Sequence, residues 1–570
     1  MKKVVLHATL LVGAAYVYMQ MPSAAPSRTT LATRMPGGAL LYLESPHLRR
    51  LLSEWDGSKV KAEWLTSANY EVFSRSNLLL KLSEVYAQYS EAAGFQPPLS
   101  SVLEIAGTES ALALYEIRNV EFLYVARVNE SVLSKAQLWA MREKFERRQA
   151  AGTAFYLRTD AASGRTVAFT FTQGYLLLAT RDDLMAEALQ LLAGGSNPSI
   201  ASDRWYREAT AAAGEPGELR LVMNLEALVK STYFRSYWIQ RNASVVRQYW
   251  AGVADIRRTN EGLVESRAFL RVPDADAAAS RSSVSALVPL VPPDAGLYKA
   301  SDVSDSAEAA ALVVAKLVGT QQQRVTDWRF APLPITLDAR GGSEGDLETR
   351  IDEQPLPANS GVADSVATIG GLLRANGASA TLLVQTSVPA GGPFLLTPSV
   401  IVVEGRSDWD GNAVRTVLST AVGRVWTSAR IGAGWTPSTA GKHPVHHMDG
   451  PGSLLVAERG RLLLLANDRG MLGQVLDRVN EPTRSTALTY AAAFRHFRER
   501  ENFEQIMHTL DFGTRSTVPF GGEFDRSGPA FFSGNLASMS SVLAAVRELR
   551  IEQADTDAVT TQTVVYTIAR

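Results

Sequence analysis

Cysteine is absent from all 570 residues. That excludes disulfides, thiol nucleophiles, thiolate-ligated zinc and a lipid-modified N-terminal cysteine together. Net charge is nearly absent as well: 57 basic residues against 58 acidic ones leave a formal charge of −1, and no dense Lys/Arg run occurs. No global field therefore draws nucleic acid to the chain, and no nucleic-acid partner is expected. Neither a G-x-S-x-G elbow nor a phosphate loop of the G-x-x-x-x-G-K-[ST] type is present, and no G-x-G-x-x-G set lies between a strand and a helix. Ser58-x-x-Lys61, Ser533-x-Asn535 and Lys230-Ser231-Thr232 stand in the wrong order for a penicillin-binding enzyme, and the last lacks the required glycine. No cofactor is expected.

What is present is enough apolar residue, 46%, to fill more than one core, and a length that predicts two to four domains. The N-terminus carries the address. Lys2 and Lys3 precede an apolar run from Val4 to Met21, interrupted chiefly by His7, and small residues follow at Pro22 to Pro26. A charged head, an apolar middle and a small-residue exit describe a signal peptide or membrane anchor over residues 1–26. Pro26, directly after the candidate cut at Ala25, would hinder signal peptidase and favours the anchor. The chain is thus expected to be exported, periplasmic or tethered to the inner membrane by residues 4–21, with the membrane as a partner of that helix.

The rest reads as a tandem duplication. Thr166–Leu192 (TVAFTFTQGYLLLATRDDLMAEALQLL) and Ser453–Val479 (SLLVAERGRLLLLANDRGMLGQVLDRV) both predict a strand, a glycine turn at Gln173-Gly174 or Arg459-Gly460, a leucine-rich strand and an amphipathic helix. Thr180 and Asn467 are the expected helix N-caps. The two stripes are Leu184, Met185, Ala188, Leu189 and Leu192 against Met471, Leu472, Val475, Leu476 and Val479. Strands open the copies at Gly38–Ser45 and Ala295–Asp302, and strand pairs follow at 110–117 with 122–128 and at 380–387 with 400–405. Helices are expected at 131–148 and 412–431, then strands at 154–159 and 444–448. Glu218–Leu225 is matched with Ala530–Leu536, and closing strands with each other at 263–272 and 559–568. The fold class expected is α+β, a mostly antiparallel sheet with helices over one face in each of two pseudo-symmetric lobes. The first repeat runs over 37–273, an Ala/Ser/Pro-rich linker over 274–293, and the second repeat over 294–570.

The runs GALLYLESPHLRRLLSEW (Gly38–Trp55), NYEVFSRS (Asn69–Ser76), ESALALYEI (Glu109–Ile117) and GYLLLATRDDL (Gly174–Leu184) resemble an uncharacterised family of large exported bacterial proteins, known as a domain of unknown function. The resemblance is strongest over the first repeat. It implies an envelope location and the duplicated architecture, and supplies no catalytic residues.

Two constellations bear on function. His443, His446, His447 and Asp449 include the residue types that ligate divalent metals. On a strand, however, His446 and His447 point to opposite faces, and His443 lies roughly 13 Å from His447, too far for one ion without a bulge. No metal site is expected there. The segment from Tyr233 to Trp250 packs aromatics among arginines, and Arg235, Trp238, Arg241, Tyr249 and Trp250 are its candidate binding residues for sugars or anionic groups. Its helical spacing also suits a buried stripe, the commoner fate of such rings. The function expected is a non-enzymatic envelope protein that binds or scaffolds an envelope protein or polymer. The alternative is an envelope hydrolase with its site between the lobes.

Overall fold

The computed structural model describes residues 30–67, 77–96, 105–231, 246–273, 282–318, 360–389, 395–426, 434–450, 452–480, 487–502 and 546–568, with positions 70, 74 and 103 between them. The apolar run of residues 4–21 lies outside these. Among the described residues no helix is long and apolar enough to cross a membrane.

The fold is α+β, and the chain divides into two units. One comprises residues 1–275, 521–545 and 556–570, the other 276–520 and 546–555. In the first, β1 (Leu41–Ser45), β2 (Glu109–Glu116) and β3 (Glu121–Arg127) are followed by β4 (Glu146–Ala150), β5 (Thr153–Thr159), β6 (Thr166–Thr172) and β7 (Tyr175–Ala179). Then come β8 (Leu219–Met223), β9 (Tyr249–Thr259) and β10 (Gly262–Arg271). Every pairing is antiparallel, and the sheet order is β4-β5-β6-β7-β3-β2-β1-β8-β9-β10, completed beyond β10 by the C-terminal strand Val559–Ile568.

The second unit contains β11 (Leu297–Asp302), β12 (Ala380–Gln385), β13 (Ser399–Glu404), β14 (Thr436–Ala440), β15 (His443–Asp449), β16 (Ser453–Arg459), β17 (Leu462–Ala466), β18 (Tyr490–Arg495) and β19 (Val546–Asp555). Its order is β14-β15-β16-β17-β13-β12-β11-β18-β19, again wholly antiparallel. The strand Val559–Ile568 is β20.

Helices lie on both faces of the first sheet, not on one as expected. Leu123, Val125, Leu177 and Ala179 point into a core closed by α4 (Asp182–Leu192) and α5 (Arg204–Ala212), which insert Met185, Leu189, Trp205 and Tyr206. On the other face Tyr124, Ala126 and Leu176 meet Leu133 from α3 (Glu130–Leu133) and Leu48 from α1 (Leu48–Asp56). Farther along that face Phe169 meets Ala92 and Ala93 from α2 (Asn77–Ala93). A strand buried on both sides reads as a continuous apolar run, and each fully buried leucine contributes about 2 kcal/mol.

Several local expectations are corrected. Thr180 caps no helix: its hydroxyl accepts from Phe122 N at 2.8 Å, and α4 starts at Asp182. Asn467, directly after β17, does the same with β13, accepting from Ser399 N at 2.7 Å, while Asp468 caps the helix Arg469–Asp477. The predicted helix over 131–148 breaks into short turns, and its end forms β4, paired through the Ala151-Gly152 turn, where both residues take positive φ. The helix predicted over 412–431 is present as Gly411–Val425, and residues 427–431 lie outside the described part. Residues 530–536 lie outside the described part, and the strand that pairs with β11 as β8 pairs with β1 is Tyr490–Arg495. The predicted linker is not loose throughout: Val284, Leu287, Leu290 and Val291 are buried in the second unit's core. The second unit also ends before the chain does, because β20 joins the first unit's sheet.

Candidate functional site

Of the aromatic and arginine residues singled out in the sequence, Arg235, Trp238 and Arg241 lie outside the described residues. Tyr249 and Trp250 open β9, and a bulge separates them. Leu270 pairs with Ala251 and Arg271 with Tyr249, so Trp250 has no partner in β10. Neighbouring strand residues point to opposite faces, and the extra residue decides which of the two rings faces the core. Trp250 packs against the first unit's core, with the Arg204 guanidinium 4.5 Å from its ring centre. Tyr249 leans on Phe269, ring centres 5.3 Å apart, and donates its hydroxyl to Thr560 Oγ1 at 3.3 Å. Gly252 makes room for that stack, since a Cβ there would sit 2.7 Å from Phe269 Cδ1. The two rings are therefore not one flat platform.

The Tyr249 ring borders a recess of about 430 Å³. Its apolar lining comes from Leu225 and Val229 on α6 (Leu225–Lys230) and from Val272, which is 42% exposed. The helix is set by Asn224, whose side chain accepts from Ala227 N at 3.1 Å and whose own N–H donates to Leu40 O at 2.9 Å. Lys230 and Arg247 bring positive charge to the lining. Lys230 donates to Glu226 at 2.8 Å, one helical turn away, and holds that carboxyl below its ordinary range. An aromatic edge, an apolar lining, the Arg247 cation and the Lys230–Glu226 pair form a surface suited to an extended polar chain. Lys230 and Val272 were missed from the sequence because they reach the recess only through tertiary packing. The aromatic–arginine run was the signal that led to its neighbourhood.

The histidine cluster lies on β15 as expected, and its members go to separate partners. His443 Nε2 meets Asp477 Oδ1 at 2.9 Å, and Lys442 Nζ meets the same oxygen at 2.9 Å, so hydrogen bonds from Lys442 and His443 keep the Asp477 carboxyl below its ordinary range. His446 Nδ1 is 3.2 Å from Arg415 Nη1, so that nitrogen accepts. His447 Nε2 lies 2.9 Å from Ser453 Oγ and 3.2 Å from Asp449 Oδ1. Among the described residues no three His, Asp or Glu side chains converge on one point where an ion could sit.

No protein-family model and no curated protein matches the chain. Among solved structures, crystal form I of the protein TP0453 aligns at 9% identity over 45% of this chain and 82% of that one, with a TM-score of 0.23. Similarity at that level says nothing of fold or function.

Proposed function

We propose that the chain is a non-enzymatic binding module of the bacterial cell envelope, made by duplication of one α+β unit and exported by residues 4–21. The duplication is supported by strand order. Read from β4 or from β14, each sheet runs hairpin, hairpin, then the early strand pair, then the opening strand, then two later strands, β8 and β9 or β18 and β19, and the first sheet alone continues with β10 and β20. The side-chain bonds of Thr180 to Phe122 and of Asn467 to Ser399 occupy corresponding places. The location rests on the N-terminal run and on the resemblance to an exported family.

The binding reading rests on one observation: the recess beside Tyr249, where an aromatic ring, Arg247 and the Lys230–Glu226 ion pair border an apolar lining. An envelope polymer or protein with polar groups matches that chemistry. Because the chain has no cysteine, a single cysteine can be placed at will. Gln248→Cys, exposed beside Arg247 and Tyr249 and not itself in the lining, carrying a photoactivated maleimide is expected to capture a discrete partner in host cells, whereas Glu143→Cys, on the distant exposed turn Arg142–Lys144, is not. Equal capture at both positions, or none at position 248, rejects the binding reading. Recovery of the protein in the cytoplasmic fraction rejects export.

A further inference from the structure

A second recess, of about 450 Å³, opens on the first unit between α1 and the segment of α3. Small-molecule sites commonly occupy roughly 300–1,000 Å³. Arg49 and Ser53 line it from one face of α1, a helical turn apart. Ser131 and Lys135 line it from α3 and the turn after it, and Leu103 and Val132 supply apolar surface. Among the described lining residues there are two cations and two hydroxyls, and no acid. The recess beside Tyr249 differs in this respect, since Glu226 lines it.

Both walls are held from beneath. Leu133 and Ala136 are each 1% exposed and lock the α3 segment onto β3, with Leu48 of α1 packed on the same cluster. Arg49 Nε donates to Ala106 O at 2.9 Å, which fixes where its guanidinium stands. The same stretch is tied down by Tyr124, whose hydroxyl donates to Ile105 O at 3.2 Å. The positive groups are thus set by packed elements.

We propose that this recess binds a small anion bearing a short apolar group, with Arg49 and Lys135 taking the charged head, Ser53 and Ser131 donating to its oxygens, and Leu103 and Val132 covering the apolar part. Phosphate esters and carboxylates share that chemistry. Calorimetric titration of the full chain with hexyl phosphate, sodium hexanoate and inorganic phosphate tests it. At least one hexyl compound is expected to saturate, and inorganic phosphate to bind about tenfold or more weakly, because it leaves the apolar surface uncovered. The tighter of the two hexyl compounds identifies the head group.

Lys135→Ala is expected to weaken binding about tenfold, a charge-assisted bond being lost, with thermal unfolding unchanged because Lys135 is exposed. Arg49→Gln is expected to weaken it similarly, and Arg49→Lys to weaken it less. No saturable heat from either hexyl compound up to about 10 mM, weaker than roughly 3 kcal/mol of binding, overturns the proposal. So does saturable binding that neither Lys135→Ala nor Arg49→Gln alters.

Discussion

Arg220 and Asp255 face each other across β8 and β9 as a two-bonded ion pair, Nε to Oδ1 at 2.8 Å and Nη2 to Oδ2 at 2.7 Å. Both residues are less than a tenth exposed. Asp255 Oδ1 also accepts from Gly217 N at 2.9 Å, and Arg220 Nη2 donates to Gly214 O at 2.8 Å. The pair therefore secures the loop that leads into β8. Removing one partner of a buried pair leaves the other charged and unpaired. Asp255→Ala is expected to cost about 3–5 kcal/mol in denaturant unfolding of the first unit. The double change Arg220→Met with Asp255→Val is expected to recover most of that loss, because the apolar pair leaves no buried charge. A double variant as unstable as Asp255→Ala would show that the loop contacts dominate.

Two glycines are required for different reasons, and substitution separates them. Gly174 has φ +80° with nothing within 4 Å of an added Cβ. Gly174→Ala is thus opposed by backbone conformation alone, at about 1–2 kcal/mol. Gly296 has no such φ, but a Cβ there would sit 1.6 Å from Glu499 Oε1. Glu499 cannot easily step aside: it is buried, and both its oxygens accept from Ser387 N, at 3.2 and 3.3 Å. Gly296→Ala is expected to cost about 1–3 kcal/mol by overpacking. In a Glu499→Ala background the same change is expected to be nearly neutral, and a double-mutant cycle reads the difference. Additive effects would mean that Glu499 is not what the new methyl meets.

Trp250 and Arg247, three residues apart at the start of β9 and just before it, are expected to respond in opposite ways. Trp250 packs half-buried on the core, so Trp250→Ala is expected to lower stability by about 1–3 kcal/mol. Arg247 lines the recess, and Arg247→Ala is expected to leave urea unfolding within about 0.5 kcal/mol of the parent while reducing partner capture at position 248. Loss of stability at Arg247 with no change in capture would make the recess a feature of packing only.

The hairpin-and-helix modules were legible because their signals are local: a glycine turn, a leucine-rich strand and a 3.6-residue stripe each lie within a few residues. Leu184, Met185, Ala188 and Leu189 are buried as the spacing predicts, and so are Met471, Leu472, Val475 and Leu476. Finer chemistry was misplaced where a residue had two suitable partners. Thr180 can cap a helix or bind the next strand, and only β3 lying alongside decides for the strand. In the second hairpin β16 extends to Arg459, so Gly460 takes the first loop position instead of the second. Non-local facts were out of reach. No pattern in 559–568 says that this strand completes the first unit's sheet, and Pro and Ser content hid the buried Val284 and Leu287. At the candidate site, Tyr249 and Trp250 were named from composition, but the bulge that decides which of them faces the core depends on the register with β10.

His496 gives the second unit a pH dependence of known sign. It begins the helical residues 496–502 after β18, with the Phe494 ring centre 4.8 Å away. Burial disfavours the charged imidazole, the nearby Arg500 adds repulsion, and together they push the group down from 6.5 to about 4. Above pH 6.5 the ring is neutral folded or unfolded. Between about 6.5 and 4 the unfolded chain takes up a proton that the folded ring refuses, so stability falls as pH falls through this window. The loss from this one group is on the order of 2–3 kcal/mol. Carboxylates with lowered values, such as Asp160 and Asp477, also lose stability toward acid, so a single curve does not isolate the ring. The difference between the parent and His496→Gln does, because the carboxylates are common to both. Denaturant unfolding at intervals from pH 7.5 to pH 4 is expected to show the parent losing stability relative to His496→Gln below about pH 6.5, the difference levelling off near pH 4. A difference that stays flat throughout would mean that the ring titrates as in water and is not held by the β18 end.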